Sequence, residues 1–152
     1  GRRGVESTPA GRKTMILAGS EACAVGLAKG LALGNILGRP AAEWARMRTD
    51  DALFRALDAE MTPAEGLALF PSGDCEAWKR RGTKSNWKVS MPQDVAKQRR
   101  TEVRALNGLV SKAGALIGVA TPVNDALVAG VESVERGELL PSQANLDALF
   151  GA

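Results

Sequence analysis

Apolar positions along the chain recur at helical spacing, and no segment alternates with the period of a half-buried strand. The apolar run over 22–37 predicts a first long helix from about residue 20 to 37. It is too short, and with Lys29 inside it too polar, to span a membrane. Gly26, Gly30, Gly34 and Gly38 recur there every four residues. On a helix they form a smooth ridge that a second backbone can approach, from this chain or from a twin subunit, against a propensity cost of about 1 kcal/mol each. A short helix follows over 41–48, then one capped by Asp50 or Asp51 and running to Met61. Thr62-Pro63-Ala64-Glu65 has capping-box form with Pro at the first helical position, which marks a break. Residues 71–74 read as loop, 76–80 as two helical turns and 82–89 as a basic loop.

Ser90-x-x-Gln93 is a second capping box, opening a helical stretch to Leu116 that Gly118 closes. At 100° per residue Met91, Val95, Leu106, Leu109, Ala113 and Leu116 share one stripe. Glu102 falls in the middle of it. A charge facing a core costs several kcal/mol unless it is paired or lines a polar cleft. Glu102 is therefore either paired with a nearby arginine or part of a site. Thr121-Pro122-Val123-Asn124 starts a further helix to about Arg136, with Thr121 as cap, and a weak last helix falls over 144–150. Residues 1–19 read as a loop or linker remnant, so the helical domain is assigned to 20–152, with an upstream part missing.

Composition narrows the chemistry. The chain has no histidine, which excludes Ser-His-Asp and Cys-His catalysis and His-ligated zinc; no metal site is expected. Cys23 and Cys75 lie far apart and form no disulfide framework, which suits a reducing compartment. No Gly-x-Gly-x-x-Gly and no Walker loop is present, so the chain carries no nucleotide cradle. The net charge of +3 is uneven: nine basic residues between Lys79 and Arg104 face only Asp94 and Glu102, giving that segment +7. Such a patch suits a small anion or a nucleotide phosphate, or is simply a solvated face.

Four motifs in order carry a resemblance: Ser90-Met91-Pro92-Gln93-Asp94, Arg100-Thr101-Glu102-Val103, Leu106-Asn107-Gly108 and Thr121-Pro122-Val123-Asn124. Together they resemble the C-terminal domain of the ketopantoate reductase (2-dehydropantoate 2-reductase) family, well over 85–135 and more loosely over 22–70. The resemblance implies an all-α fold, the helical domain of 6-phosphogluconate dehydrogenase C-terminal type, with an NADPH-binding Rossmann domain upstream. It implies an intact enzyme that reduces ketopantoate to pantoate, in pantothenate biosynthesis, as a cytoplasmic homodimer. The substrate contacts carried over are Ser90 and Glu102. On one straight helix these stand roughly 18 Å apart, so the stretch must bend between Gln98 and Thr101, with Thr101 capping a new helix.

The family's catalytic lysine and the two asparagines that follow it are not reproduced. Counted back from Pro40, they fall on Cys23, Leu27 and Leu31. Lys29 as proton donor and Asn35 as substrate contact are the nearby substitutes. Two other readings stand beside this one. The first is a related dehydrogenase domain for another hydroxy acid, keto acid or opine. The second is a non-enzymatic helical dimer that binds anions or nucleic acid through the basic segment, with steeply salt-dependent affinity.

Overall fold

The structure, a computed structural model, describes residues 8–62, 94–95 and 97–150. Six α-helices account for most of them: α1 Pro9–Ala28, α2 Ala41–Arg46, α3 Asp51–Met61, α4 Asn107–Ile117, α5 Pro122–Glu135 and α6 Gln143–Phe150. The two-residue strands β1 Asn35–Ile36 and β2 Arg39–Pro40 pair antiparallel between α1 and α2, and a 3-10 turn, Glu102–Arg104, precedes α4. The all-α expectation holds. The expected turns over 76–80, the basic loop and the Ser90 capping box lie outside the described residues.

The first helix departs most from its expected place. Thr8 caps it, its hydroxyl accepting from the Gly11 N–H at 3.0 Å, and Pro9 sits at the first position. Residues 9–19, expected as loop, are thus its first half. It ends at Ala28, not Leu37, because Gly30 takes a left-handed φ of +77°. The Gly30 N–H donates to Leu27 O and the Leu31 N–H to Gly26 O, the paired bonds of a Schellman stop. The predicted glycine ridge therefore does not exist. Only Gly26 lies in the helix, Gly34 is in the connection, and Gly38 helps turn the β1–β2 hairpin with Leu37, both at positive φ.

Helix α1 is the hub, packing on each of the other five helices. On one side Ile16 and Cys23 join Ala41, Trp44, Met47, Leu57 and Met61 in the core cluster. The Trp44 indole N–H donates to Ile36 O at 2.8 Å, tying α2 to the hairpin. On the other side α1 meets α4 and α5. There the chain comes so close that a Cβ on Gly114 would stand 2.5 Å from Val119 O and 3.3 Å from Val25 Cγ2.

Other boundaries follow their local signals. Asp50 caps α3, accepting from the Leu53 N–H at 3.1 Å. Gly118, at φ +73°, closes α4. The stretch from Ser90 to Leu116 is not one helix: Gln98 has φ +54° and Thr101 is extended, so the chain bends where expected. The shared stripe is lost with it. Leu106, Leu109 and Leu116 are 56, 62 and 77% exposed, and Val103 (1%) is the residue that enters the interior.

Candidate functional site

The bend sets what Glu102 can do. Thr101 is buried, and both its N–H and its hydroxyl donate to Glu135 Oε1, at 2.7 and 2.8 Å. The Thr101 hydroxyl also accepts from the Val103 N–H, capping the 3-10 turn. Arg104 bridges back to α5, with Nε 2.8 Å from Glu132 and Nη1 3.1 Å from Glu135. Thr101 and Val103 are thus held inward while Glu102 between them is exposed. The expectation of a carboxylate on a core-facing stripe is corrected. Glu102 needs no compensating arginine and, among the described residues, forms no ion pair.

One turn further on, the Leu106 N–H donates to Glu102 O at 3.0 Å. Leu106 begins the wall of an open groove of about 320 Å³, lined by Ala18, Gly19 and Ala22 of α1, by Leu106, Asn107 and Val110, and by Asn124 of α5. Small side chains on α1 give it room, and Gly19 also accommodates the Trp44 ring behind it. Its surface is mostly hydrocarbon, with two carboxamides. Asn107 Nδ2 donates to Asn124 Oδ1 at 2.9 Å. These are the asparagines of two of the four motifs, 17 residues apart, and the fold brings them together.

Behind them lies a group that sequence reasoning missed. Glu21 is 2% exposed. Its Oε1 accepts from the Val123 N–H at 2.9 Å, and its Oε2 from the Asn124 N–H at 2.9 Å and Asn124 Nδ2 at 2.7 Å. These are first-turn donors of α5, so a carboxylate on α1 supplies the cap expected from Thr121 and complements the positive end of the helix dipole. Thr121 is the residue before the helix but makes no side-chain capping bond. The only sequence signal is a lone acid in an apolar helix.

The other expected site residues fall elsewhere. Ser90 lies outside the described residues. Cys23, the gap-free lysine equivalent, is buried in the core cluster, and burial pushes its thiol pKa up, which makes it a poor proton donor. Lys29 caps the end of α1, exposed and seven residues past Ala22, roughly 10 Å along the axis. Asn35 is exposed in β1. Neither Lys29 nor Asn35 lines the groove. No cluster of potential metal ligands occurs among the described residues, and no described helix is long and apolar enough to cross a membrane.

Comparison with known proteins gives one finding. A family model described as ketopantoate reductase PanE/ApbA C terminal matches residues 3–135. No curated protein and no solved structure matches the chain.

Proposed function

Because the chain belongs to the family of ketopantoate reductase C-terminal domains, we propose that it is the substrate-binding lobe of an NADPH-dependent 2-keto acid reductase. The proposed substrate is ketopantoate, reduced to pantoate for pantothenate synthesis. The observation that carries this reading is the groove where two of the motifs meet α1, with Asn107 and Asn124 in its wall and exposed Glu102 of a third motif one turn from its edge.

The sequence holds no glycine-rich dinucleotide loop, so its residues do not fit the cofactor, which a separate domain must hold. When bound, NADPH supplies the hydride. The part of this chain is to hold the keto acid. Asn107 hydrogen-bonds it, Glu102 accepts from its hydroxyl, Ser90 meets its carboxylate, and the alanines and Leu106 keep water from its alkyl portion. Exposed Lys97, Arg99 and Arg100 attract the anion. Two cysteines far apart, one free and buried, suit a cytoplasmic enzyme, and the exposed leucines of α4 suit a homodimer joined through its helices.

A second reading has one observation in its favour: among the described residues no lysine lines the groove. A relative acting on another keto acid or an opine, with its proton donor elsewhere, accommodates that directly. If Lys29 is the donor, it must approach the groove in the substrate complex.

The test is NADPH oxidation by the intact protein with ketopantoate, wild type against Glu102→Ala. The variant is expected to lose about 100-fold or more in kcat/KM, the scale of an interaction strengthened at the transition state. Unchanged turnover removes Glu102 from the site, and no turnover of ketopantoate by wild type favours the second reading.

A further inference from the structure

Glu21 and Arg12 are the charged residues buried among those described. Glu21 belongs to none of the motifs behind the family resemblance. We infer that Glu21 is a positioning residue that acts through Asn124 to fix which end of the Asn107 carboxamide is offered to the groove. The inference rests on the groove being the keto-acid site.

A carboxylate and a carbonyl only accept. The Asn124 atom 2.7 Å from Glu21 Oε2 and 3.2 Å from Ala18 O must therefore be Nδ2. Asn124 Oδ1 is then turned to Asn107, and only Asn107 Nδ2 can meet it, as it does at 2.9 Å. Asn107 Oδ1 is left facing away from Asn124, and among the described residues no protein donor reaches it. The groove thus receives an oriented acceptor, suited to a hydroxyl donor on the ligand. Without Glu21, one longer bond to Ala18 O would be all that orients Asn124, and the pair would sample both flips.

Glutamine and methionine at this position separate orientation from packing. In Glu21→Gln the remaining oxygen can serve Asn124 N–H and Nδ2 together, while the new amide NH2 opposes the Val123 N–H and weakens only the helix cap, so the relay survives. In Glu21→Met the volume is kept and the acceptor is gone. The experiment is ¹H–¹⁵N spectroscopy of side-chain amides in this chain, with melting curves and a pantoate titration. Wild type and Glu21→Gln are expected to show a dispersed, slowly exchanging Asn107 amide pair and to bind pantoate within about twofold of each other. Glu21→Met is expected to show that pair at the position of a free carboxamide and to bind about tenfold more weakly, a loss equivalent to one hydrogen bond.

A Glu21→Met protein that melts lower but keeps the Asn107 signals and the affinity overturns the inference, since Glu21 would then only cap a helix. Should that variant not fold, neutron diffraction on wild type decides. Deuterium on the Asn107 atom facing Asn124 supports the relay, and oxygen there overturns it. Wild type that fails to bind pantoate counts against the keto-acid reading, while the amide signals still judge the relay.

Discussion

Glu135 accepts from three donors, the Thr101 N–H, the Thr101 hydroxyl and Arg104. The first two, with the nearby guanidinium, hold its carboxyl below the usual carboxylate range. A lowered folded value means stability that is present above the unfolded pKa, near 4.5, and lost as pH falls through the folded one. The melting temperature of wild type should therefore drop as pH is lowered from about 5 to about 3. Glu135→Gln should melt lower at neutral pH and vary less across that window, and equal slopes for the two proteins would count against a stabilising role for the Thr101–Glu135 bonds. This residue also shows what a sequence yields. Thr101 was readable as a cap from its neighbours, because capping is local chemistry. Its partner 34 positions later was not, and neither was Glu21, whose partners stand about a hundred positions away. Long-range polar pairing leaves no periodic trace.

Elements were legible where their ends carry distinct chemistry. Asp50 before α3, Gly118 after α4 and Pro122 opening α5 mark boundaries seen in the fold. The first helix misled because the apolar run over 22–37 suggested continuation, while one of the glycines within it carries a stop. Gly30 has φ +77° and open space where a Cβ would be, so its requirement is conformational alone. Gly30→Ala should cost about 1 kcal/mol in urea unfolding. Gly34→Ala, at ordinary φ and with nothing within 4 Å, should fall within about 0.5 kcal/mol of wild type. Equal losses at the two sites would restore the ridge. The central stretch failed for a related reason: a stripe drawn across Gln98 assumes one phase, and the positive φ there resets it.

At the scale of the molecule, residues expected in the core and residues found there differ. Ile16 is fully buried and Leu116 is 77% exposed. Ile16→Ala should lower stability by about 2–5 kcal/mol, whereas Leu116→Lys should change it by no more than about 0.5 kcal/mol, both read from chemical denaturation at concentrations low enough to dissociate the proposed homodimer. A large loss from Leu116→Lys would mean that this face is covered. The general class was readable because helical period and the absence of strand signals are global properties. The groove was not, because it is made by three segments whose small or polar side chains are unremarkable one at a time. Its backing has a further consequence. Ser20 Oγ accepts from the Arg48 N–H, Arg48 Nη1 donates to Ala120 O, and Glu21 alongside grips Val123 and Asn124. The stretch up to residue 62 is thereby laced to the stretch from 97 onward by hydrogen bonds of their own. A polypeptide severed between 63 and 93 should reassemble from its two pieces, co-eluting as a single species after separate expression and mixing.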